Sequence, residues 1–201
     1  KGEERKMSVA VWKEKRTLLI AVIGFSFIMA EISAGTWVPI ALTVSGFSGS
    51  AAAFAFGVFW IVITIGRVLG GFVVEAIGRF RTVLISTLVT AAGILVFMLG
   101  EVIALPFLGL VLWGLGMSMG FPMAVAAMSD DPRKAPFRIN MIITVVYISS
   151  ISVGPALGSV GEVAGIYVAF SIPLALMILS AILSPVTKKL PLEEPENILV
   201  R

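Results

Sequence analysis

The chain has 201 residues, of which 58% are hydrophobic and 13% are charged, and its mean hydropathy is +1.05. This apolar content exceeds that of an ordinary soluble domain and indicates a protein embedded in lipid. The formal net charge is +3. Because the basic residues flank apolar segments, they indicate anionic lipid headgroups as partners and argue against nucleic acid. The sequence has no histidine and no cysteine. This excludes disulfides and Cys/His metal sites, and we expect no cofactor.

Six apolar segments follow one another, each long enough to cross a bilayer as a helix. Such a helix needs about 20 apolar residues, because each residue adds about 1.5 Å to a path of about 30 Å. The six predicted spans are residues 17–44, 51–76, 82–100, 102–128, 139–160 and 162–186. They lack the strict alternation of membrane β-strands. The sequence therefore predicts an all-α integral membrane protein with a six-helix bundle over residues 17–186.

Basic residues mark every second boundary between the spans. They are Lys1, Arg5, Lys6, Lys13, Lys15 and Arg16 before the first span, then Arg79 and Arg81, then Arg133, Lys134 and Arg138, and finally Lys188 and Lys189. The acids Glu101 and Glu162 mark two of the other boundaries. Because basic residues stay in the cytoplasm, we expect both termini there, with residues 1–16 as a linker and residues 187–201 as a tail. The predicted location is the inner or plasma membrane of the cell.

Two charged residues lie well inside the predicted spans. Glu31 is about 20 Å from the cytoplasmic end of the first span, and Arg67 is about 14 Å from that of the second. A charge at the bilayer centre costs about 2.5–3.5 kcal/mol, so it indicates a functional site. Glu31 then faces a water-filled cavity and binds solute, a proton or both. The alternatives are a buried structural pair with Arg67, a Glu31 that stays protonated, and an Arg67 that snorkels to the interface.

Aromatic and polar side chains offer further candidates for a cavity. Inside the predicted spans the tryptophan rings are Trp37, which follows Glu31 within two turns, Trp60 and Trp113. Such rings can stack on a solute or pack against lipid and neighbouring helices. In the fifth span Asn140, Thr144 and Tyr147 fall at spacings of four and three and share one stripe. That stripe can face a cavity or join two helices, and we interpret Tyr147 as a cavity residue.

The link after the second span carries the most specific motif. It reads Gly71-Phe-Val-Val-Glu75-Ala-Ile-Gly78-Arg79-Phe-Arg81. This resembles the cytoplasmic loop motif of the major facilitator superfamily, G-x-L-a-D-r-x-G-r-k. A valine, a glutamate and an alanine replace the leucine, the aspartate and the first basic residue. We expect Glu75 to pair with Arg79 or Arg81, or to cap a neighbouring helix, as part of a gate. The two arginines also set the topology.

The resemblance implies a fold and a partner. In this superfamily two six-helix halves enclose a site near the membrane midplane and rock to expose it alternately. A degenerate motif is typical of the second half, so the chain resembles helices seven to twelve of a twelve-helix bundle. The missing amino-terminal half then belongs to the same protein or to a second chain. The first, second, fourth and fifth spans are implied to line the cavity. Glu31 with Trp37 also resembles a sugar-permease-like branch.

These observations predict one half of a secondary active transporter for a small polar solute such as a sugar, coupled to protons as a symporter. The expected binding residues are Glu31, Arg67, Trp37, Tyr147 and Trp113. One alternative is efflux of an amphipathic, drug-like compound by proton antiport. Another is a membrane sensor or structural half that transports nothing. A membrane enzyme is not expected, because histidine, cysteine and a pair of in-span acids are missing from the sequence.

Overall fold

The computed structural model describes residues 2–100 and 104–189. Lys1, Glu101 and residues 190–201 of the predicted tail lie outside this part. The helices are α1 (Gly2–Val11), α2 (Lys15–Val44), α3 (Gly49–Ile77), α4 (Arg79–Met98), α5 (Ala104–Met128), α6 (Ala135–Ala164), α7 (Ile166–Ala169), α8 (Ser171–Leu183) and a 3₁₀ helix (Ser184–Thr187). The described ranges contain no strand, so the prediction of an all-α fold is confirmed.

Six stretches of the described chain are long and apolar enough to cross a membrane. They are α2, α3, α4, α5 from Leu105 onward, α6, and the stretch Ile166–Thr187 formed by α7, α8 and the 3₁₀ helix. A helix satisfies its backbone N–H and C=O groups internally, which the bilayer core requires. The prediction of a multi-pass membrane protein with six spans is therefore confirmed.

Local sequence sets where the helices begin and end. The Ser48 hydroxyl caps α3 by accepting a hydrogen bond from the Ala51 N–H at 3.2 Å. Gly78, with φ of 79°, ends α3 and starts α4, and Gly165, with φ of 96°, separates α6 from α7. A positive φ favours glycine because it has no Cβ. The boundary predicted at Glu162 is therefore wrong: that residue lies in the last turn of α6.

Helix α2 lies at the centre of the bundle. It packs against α3, α5, α6 and α8, while α4 packs mainly against α5 and α8. Many α2 side chains are consequently buried, among them Ile23, Phe27 and Ala30. The two ends of the six-span unit lie at the same face, because the Arg16 guanidinium donates to the Lys188 carbonyl at 3.0 Å. We call this end of the bundle the terminal face.

Glycines allow α4 and α5 to approach closely. A Cβ on Gly93 would collide with the backbone N of Trp113, and one on Gly109 would lie 2.6 Å from the backbone N of Phe97. In both cases the obstacle is backbone, which cannot rotate away. The two helices therefore meet backbone to backbone, as small residues permit in membrane proteins.

We predict that Gly93→Ala lowers the melting temperature of the purified full-length protein in detergent. Forcing a methyl group into a filled interface costs about 1–3 kcal/mol. Gly2→Ala in α1, outside the spans, is the control, because nothing lies within 4 Å of the Cβ position at Gly2. Alanine is the better helix former, so this control should melt no earlier than wild type. Equal melting temperatures for the two variants would contradict the packing described for α4 and α5.

Candidate functional site

The two charged residues predicted inside the spans meet in the structure. The Arg67 Nη2 of α3 lies 3.5 Å from the Glu31 Oε2 of α2. Charge-assisted bonds are usually 2.7–2.9 Å long, so this pair is loose. The Glu31 side chain is 14% exposed and that of Arg67 is 46% exposed. The pair therefore keeps free acceptor sites on the carboxylate and free donors on the guanidinium.

An aromatic ring lies on the same stripe of α3 as Arg67. Trp60, Thr64 and Arg67 follow at spacings of four and three, which places them on one side of the helix. The ring of Trp60 lies 3.7 Å from the position that a Cβ on Gly35 of α2 would occupy. Its indole Nε1 is buried and has no hydrogen-bond partner among the described residues. Trp60 was not among the binding residues expected from the sequence, although its spacing to Arg67 already places both on one side of α3.

The other two tryptophans inside the spans, Trp37 and Trp113, pack against neighbouring helices. Trp37 is half-buried, and its Cη2 lies 3.6 Å from the Cβ position of Gly158 in α6. Trp113 of α5 has no exposed surface, and its ring meets Phe59, Phe97 and Phe170 edge-on at centroid distances of 6.1, 6.1 and 5.8 Å. Edge-to-face contacts at this range stabilise a core. The structure thus gives Trp113 a core position and not the contact with solute that the sequence suggested.

Tyr147 of α6 is open to its surroundings but apart from the charged pair. Its side chain belongs to an exposed stripe with Asn140 and Thr144, and 67% of Tyr147 is exposed. The hydroxyl of the nearby Ser149 donates to the Phe25 carbonyl at 2.9 Å, which fixes α6 against α2. By that register Tyr147 lies roughly 12 Å from the level of Glu31 along the bundle axis. Within the described residues no hydrogen bond joins Tyr147 to the pair.

A carboxylate at the terminal face binds two arginines. Asp130 accepts hydrogen bonds from Arg79 at 2.7 and 2.6 Å and from Arg16 at 2.7 Å. Burial acts to raise the pKa of Asp130, but the hydrogen bonds from Arg79 and Arg16 outweigh it and lower that pKa. We call Arg16, Arg79 and Asp130 the Asp130 cluster. It joins the beginnings of α2 and α4 to the end of α5.

A second carboxylate joins α6 to the same face. Glu14 accepts hydrogen bonds from Lys134 and Thr17 at 2.7 Å and from Arg138 at 2.8 Å. Burial acts to raise the pKa of Glu14, but the bonds from Lys134, Thr17 and Arg138 prevail and lower that pKa to about 2. Sequence reasoning missed both acids as cluster centres, because their basic partners lie 51 to 124 residues away along the chain.

The residues of the loop motif make contacts other than those expected from the sequence. Within the described residues Glu75 is exposed and forms no ion pair with Arg79 or Arg81. The expected pairing is therefore wrong, because Asp130 offers Arg79 two oxygens in a partly buried setting. A Cβ on Gly71 would meet no atom within 4 Å, so this glycine faces away from the described helices. Gly78 supplies the turn.

Comparison with known proteins agrees with the resemblance seen in the loop motif. No family model matches the sequence. The chain is 27% identical over 190 residues to an uncharacterized MFS-type transporter of Yersinia pestis, covering 93% of this chain and 50% of that protein. It thus spans about half the length of this relative. The relative is described as a transporter, in agreement with the expectation that the chain is not an enzyme.

Solved structures give the same fold. The E. coli fucose:proton symporter FucP superposes with a TM-score of 0.83 at 16% identity, covering 91% of this chain and 45% of that one. A peptide transporter, POT, in complex with alafosfalin gives a TM-score of 0.76 at 14% identity, covering 86% and 38%. The predicted resemblance is confirmed: the chain has the fold of one six-helix half of a major facilitator superfamily transporter.

We predict that Asp130→Asn lowers the melting temperature of the full-length protein, because two guanidinium groups lose their charged partner. Hydrogen bonds to charged groups contribute about 1.5–3 kcal/mol each. The neighbouring Asp131→Asn is the matched control, since Asp131 accepts only the Arg133 backbone N–H, at 3.0 Å, among its side-chain hydrogen bonds in the described part. Thermal unfolding in detergent measures both. If Asp131→Asn destabilises the protein as much, the Asp130 cluster does not hold the terminal face together.

Proposed function

We propose that this chain, with its major facilitator fold, is the carboxyl-terminal half of a secondary transporter that works by alternating access. The six spans, the half-length match and the loop motif at Gly71–Arg81 support this assignment. The missing amino-terminal half packs against the side of α2, α3 and α6 that carries Glu31, Arg67 and Tyr147. Solute then binds between the two halves near the midplane.

The loose pair of Glu31 and Arg67 is the observation that carries this proposal. Both groups lie inside spans, where a charge is costly, yet at 3.5 Å neither satisfies the other fully. Their free acceptor and donor sites suit a small polar solute with several hydroxyl groups. The Trp60 ring beside Gly35 provides an apolar surface for one face of such a solute. A sugar combines these two properties.

Glu31 is the coupling acid in this proposal. With the carboxylate ionised, it attracts Arg67 and the pair is closed. A proton that enters from one side neutralises Glu31, and the guanidinium is then free to donate to a solute oxygen. After the halves rock, the proton leaves to the opposite side and the pair forms again. A fucose:proton symporter has the same fold, which supports the proton coupling in this scheme.

The Asp130 cluster is the gate at the terminal face. Its two arginines come from the beginnings of α2 and α4, and Arg16 also donates to the Val186 carbonyl at 3.0 Å near the end of the last span. These contacts stabilise one arrangement of the helix ends. A rocking motion that separates the ends must break them, which makes the cluster a two-state element.

The proposal is tested with Glu31→Gln in the full-length transporter reconstituted into vesicles. A panel of radiolabelled monosaccharides first identifies the solute whose uptake an inward proton gradient drives. We expect the variant to lose accumulation against the solute gradient by more than tenfold, roughly 1.4 kcal/mol of coupling. Exchange of labelled for unlabelled solute should persist, because exchange moves no net proton.

Glu162→Gln is the matched control, because Glu162 is exposed in the last turn of α6 and lies far along the chain from the pair. It should retain both accumulation and exchange. Unchanged uptake and unchanged pH dependence in Glu31→Gln would sink the proposed role of Glu31. Proton-driven export of amphipathic compounds, with no monosaccharide moved, would replace symport with efflux.

A further inference from the structure

A groove opens between α3 and α4 on the outside of the bundle. The two helices diverge after Gly78, and α5 lies behind both. The groove has a volume of about 330 Å³. It is lined by Gly66, Leu69, Gly70 and Val73 of α3, by Thr82, Ile85, Ser86 and Val89 of α4, and by Leu115, Gly116, Ser118 and Met119 of α5. None of these residues is charged, so the groove suits an apolar occupant.

Small residues give the groove its depth. A Cβ on Gly66 would lie 2.5 Å from the Ser118 side chain, and a Cβ on Gly70 would collide with Met119. The Ser118 hydroxyl donates to the Leu115 carbonyl at 2.7 Å, so it offers no free proton to the groove. The floor of the groove therefore lies close to the axes of α3 and α5. The Ser118 hydroxyl in this floor already has a hydrogen-bond acceptor.

The groove faces away from the proposed solute pathway. On α3 the stripe with Trp60, Thr64 and Arg67 and the groove stripe with Gly66, Leu69, Gly70 and Val73 lie about 140° apart around the axis, at 100° per residue. Helix α4, the other wall, packs mainly against α5 and α8. A half that covers Glu31 and Arg67 therefore leaves the groove open to the bilayer.

A basic residue, Arg81, directly precedes Thr82, the groove residue of α4 nearest the terminal face. Arg81 comes four residues before Ile85 on the same stripe of α4, and helical side chains lean toward the amino terminus. Its guanidinium is thus directed toward the headgroup region. Its neighbour Arg79 is held by Asp130, whereas Arg81 is exposed and has no ion pair within the described ranges. Glu75 is about 200° around α3 from Val73 and does not share the groove stripe.

We propose that this groove is a binding site for one anionic phospholipid of the leaflet at the terminal face. The part of one acyl chain nearest the headgroup fills the groove from Thr82 to Val89, over a length of about 10 Å along α4. Arg81 binds the phosphate. The charge complementarity between a free guanidinium and an anionic headgroup, together with an uncharged groove below it, selects this occupant.

The test is a lipid titration of the delipidated full-length transporter in detergent, followed by native mass spectrometry. Phosphatidylglycerol and phosphatidylcholine are the two probes. We expect one phosphatidylglycerol to bind more tightly than phosphatidylcholine. Arg81→Gln should reduce that preference about fivefold, because one basic residue contributes about 1 kcal/mol at an anionic surface. Arg133→Gln, in the exposed loop before α6, is the matched control and should keep the preference.

The apolar part of the site is tested with Leu69→Phe, which narrows the groove. Leu108→Phe is the control, because Leu108 of α5 is 51% exposed, close to the 53% of Leu69, but lies outside the groove and near the end of α5 opposite the terminal face. Leu69→Phe should weaken both lipids several-fold, and Leu108→Phe neither. Melting temperatures are measured in parallel, and Val73→Phe replaces Leu69→Phe if the latter melts early.

Three results overturn the proposal. One is equal lipid preference in Arg81→Gln and Arg133→Gln. Another is equal lipid affinity in the groove variant and Leu108→Phe. The third is a dimer that Leu69→Phe dissociates and Leu108→Phe does not, because a second copy would then occupy the groove.

Discussion

The low dielectric of the bilayer decides where each charge in this chain can lie. Fifteen basic and twelve acidic residues are present in a sequence that is 58% hydrophobic, and most of them flank the spans. At the terminal face Asp130 and Glu14 gather arginine and lysine from distant segments, and hydrogen bonds keep both carboxylates ionised. Glu31 and Arg67 are the exception inside the spans, and they lie within 3.5 Å of each other. The proposed gate therefore lies at the terminal face, and the proposed solute-binding pair lies inside the spans.

Different sides of the bundle accordingly have different proposed functions. The central α2 carries Glu31 inside the membrane and Arg16 at the terminal face, so one helix connects the proposed solute pair to the proposed gate. On α3, Arg67 contacts Glu31 of α2, while Gly66 and Gly70 lie on another side of the helix, against α5. The tight glycine contact of α4 with α5 makes these two helices a rigid unit behind the groove. Motion of the helix ends is thus compatible with a fixed core around Trp113 and Phe97.

The sequence was sufficient for features that depend on local pattern. Hydropathy predicted the six spans, the loop motif indicated the resemblance to the major facilitator superfamily whose fold the chain has, and the cost of in-span charge singled out Glu31 and Arg67 before their contact was visible. Features that depend on long-range packing were missed or misassigned. The sequence did not single out Asp130 or Glu14, since their basic partners are distant along the chain. Trp113 looked like a ligand contact, and only packing shows that it is fully buried. The end of α6 was misplaced because Gly161 and Gly165 are alike in sequence, and only Gly165 has a positive φ.

The most direct test of the central claim is thiol labelling of single-cysteine variants from the aqueous phase. The chain has no cysteine of its own, so the background requires replacement only of cysteines in the other half. Thr64→Cys lies on the stripe with Trp60 and Arg67, and Ile85→Cys lines the lipid-facing groove. Only a hydrated thiol ionises and reacts. The account predicts that a membrane-impermeant reagent labels Thr64→Cys and leaves Ile85→Cys unmodified. Labelling of Ile85→Cys with no labelling of Thr64→Cys would contradict an aqueous cavity around Glu31 and Arg67.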